Sequence, residues 1–93
     1  MSKLPTRFED GAQALFAANV RRVRRDKGLT QERLAEAADL HPNYISSVER
    51  GERNISIRNI ERIAFALDVS MAYLLTPPEQ AADAASAALT TDS

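Results

Sequence analysis

Five of the twelve Lys and Arg residues of this 93-residue chain fall within one short stretch, at Arg21, Arg22, Arg24, Arg25 and Lys27. Such a run either forms a solvated helix face or meets a polyanion, with Arg21 and Arg25 the better placed for the second role. The formal net charge of -1 does not decide between them. Residues 1–76 carry twelve basic against ten acidic side chains, while residues 77–93 carry only Glu79, Asp83 and Asp92, so the tail sets the sign. Catalytic equipment is missing. Ser46 and Ser47 have no activating base beside them in the sequence, so neither reads as a nucleophile. The absence of cysteine removes a disulfide framework, a thiolate nucleophile and the commonest zinc sites. A histidine metal site would require His41 to be shared between subunits. With no phosphate-cradling glycine loop and no triad either, neither an enzyme nor a bound cofactor or metal is expected. Asn54-Ile55-Ser56 matches a glycosylation sequon, which is expected to be a chance match given that the first ten residues show no hydrophobic signal core. No apolar run approaches the roughly 18 residues of a membrane span, which predicts a soluble, cytoplasmic chain without a membrane partner.

The elements that position these groups are punctuated by glycine, proline and capping residues. Thr6 and Glu9 are spaced as a capping box. From there Phe8, Ala12, Leu15, Phe16, Val20 and Val23 recur at steps of three and four, which predicts one amphipathic helix to about Asp26 unless Gly11 breaks it. Lys27 and Gly28 read as its end. Thr30 caps a second helix, Gln31 to about Ala38, with Leu34, Ala35 and Ala38 inward. A turn at Asp39, Leu40 and His41 leads to Pro42, which suits the first position of a third helix. That helix runs to about Arg50, turns Ile45 and Val48 inward and stops at Gly51. Ser56 caps a fourth helix whose apolar face is Ile57, Ile60, Ile63, Ala64 and Leu67, and Ser70 caps a fifth from Met71 to Leu75. There is no alternating strand pattern, so the expected fold is all-α. Pro77 and Pro78 close the domain. Residues 79–89 are alanine-rich without large apolar side chains, and read either as a disordered tail or as a short helix ordered by a neighbour.

The second and third helices, short, amphipathic and joined by a tight turn, meet the physical requirements of a helix-turn-helix. Ala35 marks their closest approach. In such a unit the outer face of the third helix enters the major groove of DNA.

Three blocks carry a resemblance: Gly28-Leu29-Thr30-Gln31-Glu32-Arg33-Leu34-Ala35, then Tyr44-Ile45-Ser46-Ser47-Val48-Glu49-Arg50-Gly51, and Ala66-Leu67-Asp68-Val69-Ser70 leading to Tyr73-Leu74-Leu75. In their order and spacing, Asn19 to Leu75 resembles the helix-turn-helix domain of the Cro/C1 and xenobiotic-response-element (XRE) class of bacterial and phage regulators. The segments His41 to Ser46 and Arg53 to Ser56 are further similar to controller proteins of restriction-modification systems. The resemblance implies a lambda-repressor-like domain of five helices over residues 1–76, followed by an acidic, alanine-rich tail at 77–93. Asp39 stands where the family usually has glycine, and positive φ is expected there. Pro42 cannot offer the side-chain donor that some relatives place at its position.

The resemblance also implies site residues. Asn43, Tyr44 and Ser47 on the outer face of the third helix, with Ser46 beside them, are the base-reading candidates: Asn43 suits adenine N6 and N7, Ser47 either groove-edge donor or acceptor, and Tyr44 a thymine methyl or a hydroxyl contact. Tyr44 reads alternatively as a packed surface aromatic. Gln31 at a helix start, Arg50, Arg53, Asn54 and Ser56 are the phosphate candidates. His41 reads as an N-cap or a neighbour of a phosphate. Relatives pair an arginine of the first helix with the glutamate ending the third, which implies a structural salt bridge between Arg24 and Glu49. One module neutralises few phosphates, so a homodimer on a near-palindromic double-stranded operator is expected, with Phe65, Met71 and Tyr73 as interface candidates. Phe65 suits the core equally. The rival reading is an antitoxin-like protein-interaction module whose tail covers a protein partner, with DNA binding secondary.

Overall fold

Four side chains set where the helices begin. Thr30, Ser56 and Ser70 each accept a hydrogen bond through the hydroxyl from the backbone N–H three residues on, at 3.0, 3.2 and 2.9 Å, and His41 accepts one from Asn43 N through Nδ1 at 3.0 Å. Each bond satisfies a donor that has no partner within its helix. In the computed structural model, which describes residues 3–78 and their side chains from residue 11 onward, these caps open α2 (Gln31–Ala38), α3 (Pro42–Glu49), α4 (Ile57–Leu67) and α5 (Met71–Leu74). They follow α1 (Lys3–Asp26). α1 passes Gly11 unbroken, and Thr6 lies inside it rather than at its start. The side chains of the proposed Thr6–Glu9 capping box lie outside the described residues, as does the alanine-rich segment 79–89. The architecture is all-α, with no strand among the described residues.

The helix ends use left-handed residues. Gly28 and Gly51 adopt φ of 73° and 74°, and Asp39 and Asp68 both adopt 59°. At each, the following N–H reaches back to a carbonyl five residues earlier, as in Leu40 N to Ala35 O at 2.9 Å and Val69 N to Ala64 O at 3.0 Å. Aspartate tolerates this region better than most residues with a Cβ, so the turn between α2 and α3 keeps its form without glycine.

α2 packs on both α3 and α4, while α1 crosses against α3, α4 and α5. Leu34, Ile45, Ile63, Leu67 and Leu74 are fully enclosed with Val20 of α1. Each such side chain contributes about 1.5–3 kcal/mol by leaving water. Ala35 is completely buried where α2 meets its neighbours. Asn19, also completely buried, donates through Nδ2 to Leu74 O at 2.8 Å and Thr76 O at 3.0 Å, tying the end of α5 to α1.

Three apolar assignments change, the first being Ala12, which is exposed on α1 rather than part of its apolar stripe. Ile57 is 75% exposed rather than part of the inward face of α4, because it occupies the first helical position on the flank of the stripe formed by Ile60, Ile63, Ala64 and Leu67. Phe65 is 84% exposed and does not belong to the core. Its position places it opposite Ile63 and Leu67 on the helix. Among the described residues, no helix is long and apolar enough to cross a membrane.

Candidate nucleic-acid interface

α3 presents its N-terminal end outward. His41 and Asn43 are exposed, and Pro42 at the first helical position removes one N–H that would lack a partner. His41 thus serves as the N-cap. Beside it, Gln31 and Glu32 at the start of α2 and Pro42, Asn43 and Ser46 of α3 line an open recess of about 350 Å³. The exposed carboxylate of Glu32, which sequence reasoning passed over, sits in the first turn of α2, where negative charge is favoured.

The other end of α3 is fixed. Arg24 of α1 donates through Nε to Glu49 Oε2 at 2.6 Å and through Nη2 to Oε1 at 3.1 Å, with side chains only 10% and 3% exposed. Arg24 Nη1 reaches Leu29 O at 2.7 Å, and Arg21 Nη1 reaches the main-chain carbonyl of Glu49 at 2.6 Å. Gln31 Nε2 donates to Glu49 Oε1 at 3.0 Å. Arg24 and Glu49 therefore meet as the resemblance implied, and they draw in two residues assigned elsewhere. Gln31, a phosphate candidate, commits one of the two N–H donors of its amide to Glu49 and retains the other, its carbonyl oxygen and the backbone for other partners. Arg21 is committed to the end of α3, whereas Arg25 is exposed.

The base-reading candidates divide. Asn43 is exposed and Ser46 half-buried, but Ser47 is only 6% exposed and does not belong to an open reading face. The loop after α3 folds back over it: Ser47 Oγ donates to Tyr44 O at 2.8 Å and accepts from Arg53 Nε at 2.9 Å, while Glu52 N bonds Ser47 O at 3.0 Å. Helical periodicity cannot register a loop that returns across its own helix. Tyr44 is half-buried and packed against the core, its hydroxyl accepting from Asn59 Nδ2 at 3.1 Å and its ring lying 5.3 Å from the Arg53 guanidinium carbon. The packed-aromatic reading describes it in this conformation. Asn59 had no role in the sequence reading.

Among the phosphate candidates, Arg50, Arg53, Asn54 and Ser56 are all exposed after α3. Ser56 Oγ is already engaged as the cap of α4. Arg50 bonds Glu52 through Nε at 3.0 Å and Nη2 at 3.1 Å, and Ser46 Oγ through Nη1 at 2.6 Å. The hydrogen bond from Arg50 holds the Glu52 carboxyl below its usual range, and the same bond raises Arg50 above its ordinary value. Of the dimer candidates, Phe65 projects from α4 into solvent, whereas Met71 and Tyr73 of α5 are half-buried. The Arg22 guanidinium lies 5.7 Å from the Tyr73 ring centre. No cluster of three or more potential metal-ligating side chains occurs among the described residues.

Residues 20–74 match the family model described as helix-turn-helix. The chain is 50% identical over 62 residues to the control protein C.BamHI of Bacillus amyloliquefaciens, covering 66% of this chain and 76% of that protein. It is similar to the crystal structure of the hypothetical transcription factor NHTF from Neisseria, with a TM-score of 0.73 and 43% identity over 77% of this chain and 83% of that one. It is also similar to the controller protein C.Esp1396I, solved as a tetramer in complex with its natural 35 base-pair operator, at a TM-score of 0.65 and 34% identity over 69% and 84% of the two chains. From the capped α2–turn–α3 unit to these matches, the chain belongs to the XRE-type helix-turn-helix family of transcriptional regulators.

Proposed function

We propose that this chain is a sequence-specific regulator that binds double-stranded DNA as a homodimer on a near-palindromic operator. Residues 1–76 form the DNA-binding unit in this reading, and residues 77–93 an appended tail. The observation that carries it is the asymmetry of α3: Asn43 stands exposed at one end while Glu49 is clamped at the other. A helix held at its C-terminal end can place its N-terminal side chains against base edges without losing register. Asn43 is the principal base reader, with Ser46 adjacent. Arg50, Arg53 and Asn54 supply backbone contacts, joined by the exposed N-terminal backbone of α2. The operator complex of the related C.Esp1396I supports duplex binding by an assembly of several subunits.

Two copies would place their α3 helices in successive major grooves about 34 Å apart. Phe65 is the foremost interface candidate, with Met71 and Tyr73 at its margins. Selection of bound sites from randomised duplex, followed by determination of the protein-to-DNA ratio, tests the proposal. Two symmetric half-sites with two chains bound are expected. Failure to retain any duplex at low ionic strength refutes it.

A further inference from the structure

The acidic residues Glu49 and Glu52 lie three positions apart and differ in exposure. Glu49 is enclosed by Arg24 and Gln31, whereas Glu52 is 57% exposed and bonds an arginine that is itself 55% exposed. Exposed ion pairs contribute little to stability, so the Arg50–Glu52 pair is not explained by a need to hold the fold.

The local backbone builds this pair. α3 ends at Glu49, Arg50 caps it, and Gly51 reverses the chain at a φ of 74°. Glu52 N then bonds back to Ser47 O at 3.0 Å, fixing the residue beneath the end of the helix. The Glu52 carboxylate takes the side edge of the Arg50 guanidinium, at Nε and Nη2, in a two-point contact of 3.0 and 3.1 Å. Nη1 is held at 2.6 Å by Ser46 Oγ. A guanidinium fork recognises planar carboxylate oxygens and phosphate oxygens with the same two-point geometry. One edge cannot serve both.

Resting on the regulator reading above, we propose that Glu52 is an internal stand-in for a DNA phosphate: it occupies Arg50 in the free protein, must give way when Arg50 meets the duplex backbone, and so limits affinity for every duplex. The pair brings no net charge to the backbone while it is closed. Ser46 Oγ meets the guanidinium separately, at Nη1, so an exchange of Glu52 for phosphate on the Nε and Nη2 edge leaves that contact in place. Glu52 therefore acts as a positioning residue whose effect passes through Arg50.

The test measures binding of random-sequence and operator duplexes across a salt series, using the full chain, Glu52→Gln, Arg50→Gln and the double variant. Glu52→Gln is expected to bind both duplexes more tightly at low salt and to steepen the salt slope by about one, so that its advantage shrinks about threefold between about 50 and 200 mM salt. In the Arg50→Gln background the same substitution should bring no such gain. Retained binding with an unchanged or weaker Glu52→Gln affinity overturns the proposal while leaving the regulator reading standing. A gain of equal size without Arg50 also overturns it, since removal of one negative charge anywhere nearby would then suffice. If the unaltered chain binds no duplex at low salt, both readings fall. Thermal unfolding of each variant checks that the fold is intact.

Discussion

Glu49, the last residue of α3, receives two hydrogen bonds from Arg24 of α1 at 2.6 and 3.1 Å within an almost closed site. The pair joins the first and third helices directly, and Gln31 brings the second to the same carboxylate. Three helices are thereby referenced to one side chain.

Glu49→Ala should cost about 3–5 kcal/mol in urea unfolding, because Arg24 would be left buried without its counter-ion. Replacing both Arg24 and Glu49 by apolar residues of similar volume should recover much of that loss. A loss below about 1 kcal/mol for the single substitution would mean that water reaches the site.

Asn19→Ala should destabilise the chain by about 1–3 kcal/mol, since two carbonyls at the end of α5 lose their donor. Hydrogen exchange should show the loss concentrated around Tyr73 to Thr76. Uniform acceleration across all helices would deny Asn19 this local role.

Asn43→Ala should lose about 1–3 kcal/mol of discrimination at one operator base pair while keeping most affinity for random DNA. Arg50→Ala should weaken every duplex and flatten the salt dependence. Ser47→Ala should leave base preference unchanged, because its hydroxyl is occupied by Tyr44 and Arg53. Binding to a panel of single-base operator variants separates these effects, and a shifted preference in Ser47→Ala would return it to the reading set.

Phe65→Ser should shift the chain from dimer to monomer in analytical ultracentrifugation while its helical circular dichroism is retained. A dimer of unchanged strength would place the interface elsewhere on the surface.

Asp39→Gly should raise stability by up to about 1 kcal/mol by relieving the Cβ at a φ of 59°, offset in part by the greater freedom of glycine in the unfolded chain. Asp39→Val should lower it. Denaturant midpoints of the two variants provide the comparison.

Helix boundaries were legible because they depend on nearby chemistry: Thr30, Ser56 and Ser70 are hydroxyl caps, Pro42 suits a first turn, and Gly28 and Gly51 suit left-handed ends. Asp39 could be assigned because it stands where the resembled family usually has glycine. Asp68 performs the same turn but was not singled out, because no expected glycine marked its position. Properties created by distant chain segments were harder to read. Ile57 belongs to the arithmetic of the α4 stripe yet extends beyond its packed part, and Ser47 is covered by a loop. Asn19 gives no sequence signal of its tie to α5, since the main-chain carbonyls to which it donates lie more than fifty residues away. The Glu52 contact required knowledge of how Gly51 reverses the chain.

The clamp at Glu49 has an evolutionary corollary. Substitution there disturbs three helices at once, whereas the side chain of Asn43, the second residue of α3, stands exposed outside the core and can be exchanged at little structural cost. On the proposed regulator reading, a lineage built on this scaffold would retarget its preferred sequence by altering the free end of one rod while the anchored end stays the same.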